Sequence, residues 1–71
     1  MANHPNRSSI TAAVRVAAKN NSFVRVRSTV DGDVGNALRV SAARDWSRGY
    51  IQVDFAGQRV WVNPRDLQID D

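Results

Sequence analysis

The sequence predicts an all-β fold: a small barrel of five to six short antiparallel strands, with one short 3-10 turn before the last strand. Three observations predict it. Four segments alternate an aliphatic residue with arginine or tryptophan, namely Val14-Arg15-Val16, Val24-Arg25-Val26-Arg27, Leu38-Arg39-Val40 and Arg59-Val60-Trp61-Val62. Turn-forming pairs recur at short intervals, at Asp31-Gly32, Gly35-Asn36 and Ala56-Gly57, the rhythm of hairpins rather than of helical crossovers. All seven acidic residues are Asp, and Glu, a common helix-surface residue, is absent.

The elements follow in order. Residues 1–9 are polar with one proline and read as a mobile N-terminal arm; residues 10–71 form a single domain. Residues 10–21 fit two patterns. Ser8 or Ser9 can cap a short helix that ends at Asn20-Asn21, but Val14 and Val16 carry strand spacing and Lys19-Asn20-Asn21-Ser22 suits a hairpin turn. The repeat of the pattern in the next segment favours the strand. Phe23 to Val30 is a strand, and Asp31-Gly32 supplies the positive-φ residues of a tight turn, followed by a second turn at Gly35-Asn36. Ala37 to Ala43 is a strand with Leu38 and Val40 inward. Residues 44–49 form a polar loop around Trp46. Tyr50 to Phe55 alternates cleanly, and Arg59 to Asn63 returns with Val60 and Val62 inward. Pro64 opens a single tight turn, where its missing N–H costs nothing, and Leu67 and Ile69 close the bottom of the core.

Composition narrows the function. There are no cysteines, which removes disulfides, thiolate metal sites and a cysteine nucleophile. The one histidine, His4, sits in the arm beside Pro5. Asp31 and Asp33 flank Gly32 but lack the further acid that a calcium loop needs. No triad, metal cluster or cofactor motif emerges, so the expectation is a non-enzymatic protein without cofactor. No apolar run approaches the ~18 residues of a membrane span. The start lacks the layout of an export signal, and a cytoplasmic protein is expected.

Residues 49–67, from Gly49-Tyr50-Ile51-Gln52-Val53-Asp54-Phe55 through Gly57 and Trp61-Val62 to Leu67, resemble the end of bacterial Src-homology-3-like domains. Val24-Arg25-Val26-Arg27-Ser28 is similar to that family's opening strand. The resemblance covers roughly residues 23–69. It departs at Val60, where the family has glycine, and in the middle segment between Ser28 and Tyr50. It implies a small Src-homology-3-like barrel, and peptide or cell-wall binding in the manner of that family.

The charge points to a partner. The net charge is +3 and nine of the ten basic residues are Arg, the cation suited to planar, bidentate contacts with phosphate and to stacking on bases. A GC-rich genome accounts equally well for an Arg excess. If the aliphatics face inward, Arg25, Arg27, Arg39, Arg59 and Trp61 share the outer face. That is a candidate nucleic-acid surface, with Tyr50 and Gln52 across from Arg59 and Trp61, and Asp54 in reach of Arg59. Trp46, with Tyr50 and Arg48, is a candidate anchor for a protein partner, or else Trp46 covers an open barrel end. The alternative function is thus a protein-interaction module, such as a phage or plasmid accessory or inhibitor protein docking on a host complex. So short a chain also leaves self-association open.

Overall fold

The computed structural model describes residues 7–70, with side chains from Ser9 onward. It opens with a helix, not a strand: α1 spans Arg7–Lys19. This corrects the reading of residues 10–21, and the expected arm lies outside the described residues except for its last three, which are helical. Ile10 and Val14 are fully buried one turn apart, whereas Val16 is 60% exposed. The apolar stripe thus runs at helical spacing through Ile10, Val14 and the half-buried Ala17 and Ala18. Four alanines over residues 12–18 add helix propensity.

Asn20-Asn21, which resembled a hairpin turn, ends the helix. Asn21 adopts φ 54°, the left-handed conformation that Asn tolerates. The Ser22 N–H donates to the Ala17 carbonyl at 2.8 Å and the Asn21 N–H to Ala18 at 3.2 Å, the paired bonds of a Schellman motif. The Asn20 side-chain amide donates to the Val16 carbonyl at 3.1 Å, satisfying another terminal carbonyl.

Five strands follow: β1 (Val24–Ser28), β2 (Val34–Val40), β3 (Ile51–Phe55), β4 (Gln58–Val62) and β5 (Leu67–Ile69), with the 3-10 turn Pro64–Asp66 before β5. They form one antiparallel sheet in the order β4-β3-β2-β1-β5. The sheet is not closed: β4 and β5 are its edges. Gly35-Asn36 is not a turn but lies within β2, opposite Val26 and Arg25. Gly35 is required there, because a Cβ would sit 2.7 Å from the Asp54 carbonyl oxygen and 2.8 Å from the side chains of Val53 and Phe55. The β3–β4 hairpin turns on Ala56 (φ 53°) and Gly57 (φ 90°), the two positive angles of a type I′ turn.

A register shift between Ala37 and Arg39 explains how β2 serves both faces. Strict alternation from the buried Ala37 would turn Arg39 inward and Val40 outward. The bulge absorbs Leu38 as an extra residue, so Arg39 pairs with Gln52 and Val40 with Ile51. The core comprises Ile10, Val14, Val26, Ala37, Ile51, Val53 and Leu67, with Val24, Val40, Phe55, Val62 and Ile69 packed on its rim. It is therefore a helix-on-sheet core. Val60 departs from expectation. It faces the core side but is 39% exposed, because β4 is an edge strand.

Candidate functional site

The outer face of the sheet is built by register. Arg25 opposes Asn36, Asn36 opposes Asp54, and Asp54 opposes Arg59. In the next rows Arg39 opposes Gln52, Gln52 opposes Trp61, and Arg27 opposes Gln68 on β5. Arg25, Arg27, Arg39, Arg59 and Trp61 therefore share one face, away from the helix. Tyr50 precedes β3 and is not part of this face.

The side chains fall into two groups. Over β2–β4 the Arg39 guanidinium lies 5.9 Å from the centre of the Trp61 ring, within cation–π range, and its Nε donates to Gln52 Oε1 at 3.0 Å. Trp61 is half-buried in this arrangement. Arg59 reaches Asp54 at 3.9 Å, as its place across the hairpin predicts, while Asp54 Oδ1 also accepts from the Gly57 N–H. Over β1 and β5, Asp70 sits between two guanidiniums, 3.4 Å from Arg25 and 3.2 Å from Arg27. Arg27 also donates to the Gly32 carbonyl at 3.1 Å. Four guanidiniums thus face two carboxylates. Such exposed pairs are worth about 0–1 kcal/mol each; they orient the cations more than they stabilise the fold.

Trp46, Tyr50 and Arg48 lie elsewhere, on and after the β2–β3 loop. Ser41 and Ser47 are buried beneath it, their hydroxyl oxygens 3.1 Å apart. Asp45 Oδ1 accepts from the Ser47 hydroxyl at 2.7 Å and the Ser47 N–H at 2.9 Å. These bonds, the hydroxyl first, hold the Asp45 carboxyl below its ordinary pKa. Trp46 does not cover an open end of the core: it is 71% exposed. Its ring meets Tyr50 edge-on at 5.6 Å.

Beside this loop is an open pocket of about 350 Å³. It is lined by Arg48, Gly49 and Tyr50, by Thr11 and Arg15 of α1, and by Asn63 and Pro64 at the start of the 3-10 turn. Asn63 is placed by its own role as cap, its Oδ1 accepting from the Arg65 N–H at 3.1 Å. Thr11, Arg15 and Asn63 are absent from the sequence-derived candidates. Thr11 and Arg15 become visible only once residues 7–19 are helical, since i, i+4 spacing puts them on one face.

No family model, curated protein or solved structure matches the chain. Among the described residues there is no group of three or more His, Cys, Asp or Glu able to hold a metal, and no helix long and apolar enough to cross a membrane.

Proposed function

We propose that the protein is a non-enzymatic binding module that holds single-stranded nucleic acid on the outer face of its sheet, through Arg25, Arg27, Arg39, Arg59 and Trp61. The observation that supports it most is Arg39 lying 5.9 Å from the centre of the Trp61 ring, with Gln52 bonded to the same guanidinium. An aromatic, a planar cation and an amide together offer a base a stacking surface and hydrogen-bonding groups, while the flanking arginines neutralise phosphates. Single strands are favoured because a base must be unstacked to meet an indole. We infer further that the domain is a Src-homology-3-like barrel left open between β4 and β5. Its support is the single five-stranded antiparallel sheet and the 3-10 turn before the last strand.

The test is fluorescence anisotropy with short labelled single-stranded and duplex oligonucleotides at several salt concentrations. Up to four contacts at ~0.7 each give a log–log salt slope of about −2 to −3 on single strands. Absence of binding at low salt would remove the proposal. A second reading, a protein-interaction module, is favoured by the exposure of Trp46. It predicts that Trp46→Ala abolishes capture of a protein partner and leaves oligonucleotide binding intact.

A further inference from the structure

The pocket between α1 and the β2–β3 loop has an electrostatic character unlike that of the sheet face. On the sheet, Arg25, Arg27 and Arg59 are matched by Asp70 and Asp54, and Arg65 lies 4.0 Å from Asp66. Arg15 and Arg48 have no ion pair among the described residues, yet both line this one pocket. None of its lining residues is acidic. The two carboxylates nearest in sequence have other partners: Asp66 lies 4.0 Å from Arg65, and Asp45 accepts from the Ser47 hydroxyl and N–H. The remaining polar groups are the Thr11 and Tyr50 hydroxyls and the Asn63 amide, which approaches the Tyr50 oxygen at 3.5 Å. The pocket thus collects two cations and neutral hydrogen-bonding groups without a counter-charge. Its volume of about 350 Å³ lies at the small end of the ~300–1,000 Å³ typical of ligand sites.

We propose that this pocket binds a phosphate monoester, with the Arg15 and Arg48 guanidiniums on the phosphoryl oxygens and Thr11, Tyr50 and Asn63 completing its hydrogen bonds. A monoester carries close to two negative charges at pH 7, which matches two guanidiniums whose planar forks suit paired oxygen acceptors. The inference stands independently of the sheet-face reading, since the two surfaces share no residue. The phosphoryl group has two sources, a free mononucleotide or the 5′-phosphate of a nucleic-acid strand.

The experiment is an amide-resolved NMR titration of the whole chain with adenosine monophosphate, inorganic phosphate and acetate, repeated with 5′-phosphorylated and 5′-hydroxyl oligonucleotides. Adenosine monophosphate and inorganic phosphate are expected to shift the amides of Thr11, Gly49, Tyr50 and Asn63, acetate far less. Arg15→Ala and Arg48→Ala each weaken binding about tenfold or more, while Arg44→Ala, outside the pocket, leaves it unchanged. Arg15 and Arg48 are exposed, and an unchanged amide spectrum of each variant confirms that it folds. A preference for the 5′-phosphorylated over the 5′-hydroxyl strand assigns the source to strand ends; equal affinity for both strands assigns it to free nucleotides. No shift with adenosine monophosphate at millimolar concentration overturns the proposal, as do shifts confined to Arg39, Gln52 and Trp61. Loss of oligonucleotide binding to the sheet with the pocket shifts intact overturns only the sheet-face reading.

Discussion

Replacing Val14 and Val16 separately by alanine tests the helix directly, because the two architectures weigh these positions oppositely. On a strand both would face one side and lose equally. On α1, Val14 is fully buried and Val16 is 60% exposed. Val14→Ala removes two carbons from a site without solvent, worth about 1.6 kcal/mol in transfer free energy. The incompletely collapsed cavity adds up to about 1 kcal/mol, and the better helix propensity of alanine returns roughly 0.5 kcal/mol. The net loss is about 2 kcal/mol, or roughly 8–16 °C in Tm for a domain of this size. Val16→Ala gives up little burial and gains the same propensity, so its Tm is expected to stay level or rise slightly. Thermal melts followed by far-ultraviolet circular dichroism measure both. Equal losses at 14 and 16, or a larger loss at 16, would refute the helical assignment and with it the walls of the phosphate pocket.

Four further outcomes follow from the geometry. Gly35→Ala is expected to destabilise by about 1–3 kcal/mol in urea denaturation, since its Cβ would meet the Asp54 carbonyl oxygen at 2.7 Å; an unchanged midpoint contradicts the close approach of β2 and β3. Asp45 is held below its ordinary value of 3.8 in the folded state, so it binds fewer protons there than when unfolded. Its contribution to stability is present above pH 3.8 and is lost as pH falls through the depressed folded value; in Ser47→Ala the Asp45 side-chain resonance should titrate closer to the ordinary value, and an unshifted midpoint would remove the cause assigned here. Asp70→Asn releases Arg25 and Arg27 and should tighten oligonucleotide binding while steepening its salt slope; weaker binding would show that Asp70 aids the contact. Arg39→Ala should flatten that slope by about 0.7 and shift the emission of Trp61 in a Trp46→Phe background, whereas an unchanged slope removes Arg39 from the contact surface.

What the sequence shows well is local and what it conceals is tertiary. Alternation in Val24-Arg25-Val26-Arg27 and in residues 51–62 is a property of neighbouring residues, and it places Arg25, Arg27, Arg59 and Trp61 on one face without knowledge of the sheet order. The Asp54–Arg59 pair follows from a two-residue hairpin. Residues 10–21 are different. Val14 and Val16 match a strand period, and only the cover that α1 gives Ile10 and Val14, with Val16 left in water, decides against it. Gly35 looks like a turn residue until β3 approaches it. Asp70 reaches Arg25 and Arg27 across more than forty residues of chain, a contact that depends on β5 pairing with β1. The pocket was hidden for the same reason, because it exists only where a helix meets a loop.

The helix also sorts the arginines into two kinds. By covering the core face of the sheet, α1 leaves the opposite face as the only place for the β-strand cations, and there Asp54 and Asp70 hold three of them against the sheet. Trp61 is not part of the central core, lies on the outer side of β4 and has the Arg39 guanidinium 5.9 Å from its ring centre. Arg15 and Arg48 are the reverse case: two cations lining one pocket that has no acid in its lining. On the sheet Asp54 and Asp70 answer part of the charge of four guanidiniums, and an anion would compete with them; at the pocket no lining acid answers the charge of Arg15 and Arg48. The two surfaces should therefore respond differently to removal of acids. Asp70→Asn should strengthen binding on the sheet, whereas at the pocket no lining acid is available whose removal would strengthen binding.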